Sequence, residues 1–168
     1  MSEQNTPETQ AIPLARAPFR EVAAGLLVTE DGRYLMQLRD DLPGVSLPGH
    51  WGCFGGGVDP GESAAAAMAR ELEEELGIVG AACRFYTQSV QNHPTGDPTG
   101  PPRIIRYSFF EVQIRAADEP GYDQQEGAGR GLFTVEALMA LPNIAPWDLY
   151  GVLSHARHRS LFRAERYL

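Results

Sequence analysis

Residues 56–78 read GGVDPGESAAAAMARELEEELGI, a glycine-rich turn running straight into a helix of alanines and glutamates. Asp59-Pro60-Gly61 bends the chain, Ser63 offers an N-cap hydroxyl, and Gly77 offers a C-terminal stop. The pattern predicts a helix from Ser63 to Leu76. At about 100° per residue, Glu71, Glu74 and Glu75 share about a quarter of its circumference. Ala65, Met68, Ala69, Leu72 and Leu76 form a neighbouring apolar stripe for the core, and Glu73 points away from both. Like charges so spaced repel by about a few tenths of a kcal/mol per pair, and the helix dipole disfavours anions late in a helix. A solvated acidic face is the ordinary outcome of such a run. A hard divalent cation is the other, because oxygen-only donors suit Mg²⁺ or Mn²⁺. Gly55-Gly56-Gly57 lets the backbone approach another group closely, as a phosphate or metal requires.

Working outward, Val22–Val28 is a short apolar run suited to a buried strand, and Asp31-Gly32 turns it into a second strand at Tyr34–Leu38. A loop rich in proline and glycine follows from Asp40 to His50, and Trp51 to Phe54 reads as a short strand ending at the triple glycine. Beyond the helix, strands are expected at Arg84–Val90 and Ile104–Ile114, separated by a Pro/Gly loop from His93 to Pro102. A strand near Gly131–Thr134, a helix near Val135–Leu141 and a final helix from about Trp147 complete the order. Mixed strands and helices imply an α/β or α+β layered domain. Residues 1–17, aperiodic and polar, are expected to be a flexible tail before a single domain at 18–168.

The balance of 22 acidic against 14 basic residues, net −8, repels a phosphate backbone and argues against nucleic-acid polymers as partners. It leaves small phosphorylated substrates open, because a bound cation inverts the local sign. The sequence has no long apolar run for a membrane and no basic-then-apolar leader, so a soluble, cytoplasmic protein is expected. Cys53 and Cys83 read as reduced, buried small residues.

The run from Gly56 fits G-x5-E-x7-R-E-U-x-E-E-x-G-U, with U a bulky aliphatic, at every fixed position: Gly56, Glu62, Arg70, Glu71, Glu74, Glu75 and Gly77, with Leu72 and Ile78 aliphatic. This resembles the signature box of the Nudix hydrolases. The resemblance implies an α/β/α sandwich around a mixed β-sheet and a metal-dependent pyrophosphohydrolase. It implies that Glu74 and Glu75 bind metal directly, and that Glu71 ligates it or acts as base. The Gly55 carbonyl would complete the coordination, while Glu62 and Arg70 hold the carboxylates in place. Glu126, in Gln125-Glu126-Gly127, is similar to a later glutamate that supplies a ligand or the base, with Asp123 close by. The implied chemistry is water attack at phosphorus on a nucleoside diphosphate linked to another moiety. The position of Pro94 relative to Ile78 resembles nucleoside-diphosphate-sugar enzymes such as those acting on ADP-ribose. A triphosphate-sanitising enzyme is the nearest rival, and a non-catalytic sensor or an isoprenoid-diphosphate isomerase are readings from other classes. Homodimers are common in the family.

Arg39, Arg103 and Arg106 are candidates for phosphate or base contact, with ordinary surface arginine as the alternative. His155 and His158, one helical turn apart, are expected on a solvated face. Trp51, Phe54 and Tyr107 read as core or pocket wall.

Overall fold

The computed structural model describes residues 19–93 and 103–163. The expected tail at 1–17 and Pro94 lie outside the described residues. The elements run β1 (Phe19–Thr29), β2 (Tyr34–Leu38), β3 (Trp51–Gly52), α1 (Ala64–Leu76), β4 (Arg84–His93), β5 (Arg103–Ile114), β6 (Gly129–Phe133), α2 (Val135–Ala140) and α3 (Pro146–Arg163). The main path of the sheet is β3-β2-β1-β5-β4, and β6 pairs with β2. β1 and β5 are parallel from Phe19–Ile104 to Thr29–Ile114, while β1–β2, β2–β3, β2–β6 and β4–β5 are antiparallel. The sheet is mixed, as expected.

β1 shows why its apolar run is continuous. Ala23 and Leu27 face α1 in one core with Met68, Leu72 and Leu76. The alternate residues Ala24, Leu26 and Val28 face the other way, with Leu138 of α2 and Val152 of α3. Side chains alternate along a strand, so a strand covered on both faces must be apolar at every step. Helices thus cover both faces, giving the α/β/α sandwich.

The Asp31-Gly32 hairpin and the strands at 84 and 103 fall where the sequence put them, the latter two longer than expected. Ser63 caps α1 by accepting from the Ala66 amide, and Gly77 ends it in a left-handed conformation, φ 68°. Three expectations need correction. The strand at Trp51 stops at Gly52, and Phe54 and Gly57 make only single bridges to Gly25 and Val22 of β1. The strand expected to Thr134 ends at Phe133, because the Thr134 hydroxyl instead caps α2. Ala65 and Ala69 are exposed, because the buried stripe runs through Ala67, Met68, Leu72, Glu75 and Leu76. That rotation takes Glu75 into the protein, where the sequence had placed it in a row beside the core. No helix among the described residues is long and apolar enough to cross a membrane.

Candidate active site

The site begins where β1 and β2 part and residues 54–57 run beside β1. Amides of Ala23 and Gly25 donate to the carbonyls of Gly56 and Phe54 at 2.9 and 2.8 Å. At Gly56 a side chain would collide with the Glu71 carboxylate, and at Gly55, φ 128°, with the Ala23 carbonyl. The glycines are therefore needed for contact between this segment, β1 and the helix. The Gly57 carbonyl accepts from Arg70, and that of Gly55 is in none of these bonds.

The three helical glutamates sit at three depths. Glu74 has a side chain 58% exposed and Glu71 one 14% exposed, whereas Glu75 is 3% exposed. Arg70 is their cationic hub. It donates to Glu71 at 2.8 Å, Glu74 at 3.0 Å and both oxygens of Glu62 at 3.2 Å. Those contacts raise the guanidinium pKa and lower that of Glu62. Arg70 and Glu62 thus stand where a scaffold for the carboxylates would be expected. Among the described residues no such cation pairs with Glu75. Its Oε2 accepts from the Gly55 amide at 2.7 Å and its Oε1 from Gln37 Nε2 at 3.1 Å. Burial pushes its pKa up to about 7 despite those donors, and the charges of Glu71 and Glu126 add to the rise. Glu71 is raised as well, chiefly by burial, with Glu74 and Glu126 adding repulsion.

Glu126 is therefore within electrostatic reach of both helical carboxylates. Its loop is tied to α1, whose terminal carbonyls at Glu75 and Leu76 accept from the Gln125 and Asp123 amides at 3.0 and 3.2 Å. These bonds satisfy two acceptors that a helix end otherwise leaves open. Glu126 lines a polar groove with Gln37, Gly55, Glu75, Arg20, Arg39 and Arg103. Asp123 instead packs against Gly77 at the helix end. All-oxygen donors, with the Glu71 and Glu75 pKa values raised, fit a hard divalent cation, which would lower the repulsion that burial amplifies. Among the described residues no three His, Cys, Asp or Glu side chains stand close enough together to hold an ion in this arrangement, and Arg70 holds Glu71 and Glu74.

Of the three expected arginines, Arg39 and Arg103 line the groove. Arg106 instead pairs with Glu21 at 2.5 Å, because its alternation on β5 sends it elsewhere. The sequence reading missed Arg20, which lines the groove too. These three arginines also line an adjoining pocket walled by Tyr107, Trp147, His93, Cys53 and Asp148. His93 and Trp147 rings lie 4.0 Å apart, and the Tyr107 hydroxyl lies 2.9 Å from His93 Nε2. Burial keeps His93 below its ordinary pKa and pushes Asp148 up to about 6. Arg39 Nε is buried without a hydrogen-bond partner among the described residues. Nothing in the sequence marked Asp148, since its meaning depends on where α3 starts. Trp51 and Phe54 are packed in the two cores, as expected.

His155 is fully buried, not solvated, which corrects the sequence reading, while His158 is exposed. The His155 ring lies between the Tyr34 hydroxyl at 2.8 Å and Glu111 Oε2 at 2.6 Å. Burial lowers its pKa and pushes Tyr34 up to about 12, so a neutral ring accepts from the tyrosine and donates to an ionised Glu111. Both cysteines are free thiols, Cys53 buried and Cys83 partly so.

The model of the NUDIX domain matches residues 18–153. An 8-oxo-dGTP diphosphatase of Haemophilus influenzae is 34% identical over 107 residues, covering 64% of this chain and 72% of that protein. The nucleoside triphosphatase NudI of Escherichia coli is 49% identical over 51 residues, only 30% of this chain and 36% of the relative. Among solved structures, the E. coli ORF135 protein superposes with a TM-score of 0.66 at 26% identity, covering 89% of this chain and 96% of that one. The chain belongs to the NUDIX family, and it is a hydrolase acting on phosphoanhydride bonds. Members generally work with a divalent metal such as Mg²⁺ on small nucleotide substrates.

Proposed function

We propose that this protein is a Mg²⁺- or Mn²⁺-dependent pyrophosphohydrolase of a nucleoside triphosphate. The observation that carries the reading is the sharing of Arg20, Arg39 and Arg103 between the aromatic pocket and the carboxylate groove. A ligand spanning both presents a flat ring at one end and an anion beside the arginines. Tyr107, Trp147 and His93 wall the pocket for a base, with the Asp148 carboxyl to meet its polar edge. The arginines gather the phosphate chain and hold it against the groove. The names of the two curated relatives, a diphosphatase and a triphosphatase, favour a triphosphate.

Glu71, Glu74, Glu75 and Glu126 would hold the metal, with the Gly55 carbonyl. When bound, the metal neutralises phosphate charge and makes a water more acidic. Glu62 and Arg70 keep Glu71 and Glu74 in place. Either Glu71 or Glu126 takes the proton from the water that attacks phosphorus. Release of phosphate or pyrophosphate is then measured across dNTPs (oxidised forms included), nucleoside-diphosphate sugars and dinucleoside polyphosphates. The highest kcat/KM is expected on a triphosphate. Turnover confined to a nucleoside-diphosphate sugar, the reading that the spacing of Pro94 favours, would overturn it.

A further inference from the structure

We infer that Gln37 is a positioning residue: its amide group links the Glu75 carboxylate to the loop that carries Glu126 and so fixes where that carboxylate lies. This rests on the proposed role of those two glutamates. Gln37 is buried near the end of β2, where its backbone is paired with Gly52 on one side and Arg130 on the other. The sheet therefore fixes where its side chain starts. Its Nε2 has two hydrogens, and the structure uses both, one on Glu75 Oε1 at 3.1 Å and one on the Glu126 carbonyl at 3.2 Å.

The rest of the loop is arranged around that amide. The Gly127 amide donates to Asp40 Oδ2 at 3.0 Å and the Ala128 amide to the Leu38 carbonyl at 2.8 Å, two residues past the end of β2 and at that end. On the other side the Gln125 amide donates to the Glu75 carbonyl at 3.0 Å. Glu126 is thus suspended between helix and strand. Gly127 has φ 86°, and a side chain there would come within 2.7 Å of Gln37 Cγ and 2.8 Å of the Leu38 carbonyl. The glycine lets the loop lie directly on the glutamine.

An amide is suited to this place because it donates without bringing charge. Arg70 organises Glu71 and Glu74 with a full positive charge. A second cation against Glu75 would neutralise the carboxylate that a divalent ion needs. Gln37 orients Glu75 and leaves its charge available, as hydrogen-bonded partners of metal ligands commonly do.

The test compares wild type with Gln37→Met, which keeps length and loses the donors, and Gln37→Glu, which keeps shape and opposes Glu75. Three readouts are taken: amide hydrogen exchange at Gly127 and Ala128 in metal-free protein, Mn²⁺ affinity by electron paramagnetic resonance, and the split between kcat and KM. Faster exchange at the two amides, Mn²⁺ binding weakened about 10–100-fold, and a fall in kcat with KM little changed are expected. Wild-type exchange and Mn²⁺ affinity in Gln37→Met would overturn the inference. So would looser exchange with unchanged Mn²⁺ affinity and kcat, since the amide would then only support the loop. If Gln37→Met does not fold, Gln37→Glu carries the same readouts. A wild-type protein that binds no Mn²⁺ would sink the metal reading of the groove and, with it, the positioning role. Failure confined to the Gln37 variants sinks the positioning role alone.

Discussion

Glu75 on α1 and Glu111 on β5 are both carboxylates taken largely out of water, on the two sides of the same sheet. Around Glu111 the chain supplies His155 at 2.6 Å, Arg84 at 2.9 Å and Gln113 at 3.1 Å. Burial alone would raise its pKa, yet these donors bring it down to about 2. Around Glu75 the chain supplies one amide N–H and one glutamine and sets two further carboxylates nearby, so the pKa lies at about 7. One acid is completed by the protein itself, while the other is left to be completed from outside. A buried carboxylate kept short of positive charge is poor for stability and suited to binding a cation.

The contrast is broken or sharpened most strongly at Glu75. Glu75→Gln should lower kcat at saturating Mg²⁺ by about 10³-fold, the scale of losing one preorganised electrostatic group. Its melting temperature in EDTA at pH 8 should hold or rise, because a raised carboxyl pKa means that ionisation costs stability as pH passes about 7. A variant that keeps turnover, or that loses stability in EDTA, would erase the difference between the two acids. Next is His155→Ala, which takes the partner from Glu111 Oε2 and from the buried Tyr34 hydroxyl and opens a cavity, while Arg84 and Gln113 keep Glu111 Oε1. A loss of about 3 kcal/mol in urea unfolding is expected, with kcat of the remaining folded protein near wild type. The smallest effect concerns Asp148, a third buried acid, raised from 3.8 to about 6. Its contribution is fully present below pH 3.8 and is lost as pH rises through about 6. Asp148→Asn should therefore remove roughly 2–3 kcal/mol of pH-dependent destabilisation between pH 4 and 8, read as a flatter plot of melting temperature against pH.

The same contrast explains what was legible in the sequence. Glu71, Glu74 and Glu75 stand out because local helix geometry brings them together, and Ser63 and Gly77 bound that helix by local capping. Depth along the helix was not legible. Whether Ala65 or Ala67 faces inward depends on the strand beneath, so the exposure of Ala65 and the burial of Glu75 required the β1–α1 packing. His155 was misread for the same reason, since its partners Tyr34 and Glu111 come from distant strands. Gln37 and Arg20 carry no local signal, because a polar residue inside a strand gains its meaning from what crosses over it. Arg106 looked equal to Arg103 in sequence and differs only by which partner its strand position offers.

The glycine segment is stitched to β1, and β1 in turn is held along its whole length by β5, which follows the acidic helix in the chain. During synthesis, residues 54–78 leave the ribosome before the strand that anchors their partner exists. Assembly of the groove is thus a late event with high contact order. Until then the glutamates remain hydrated, and the net charge of −8 helps keep unfinished chains apart.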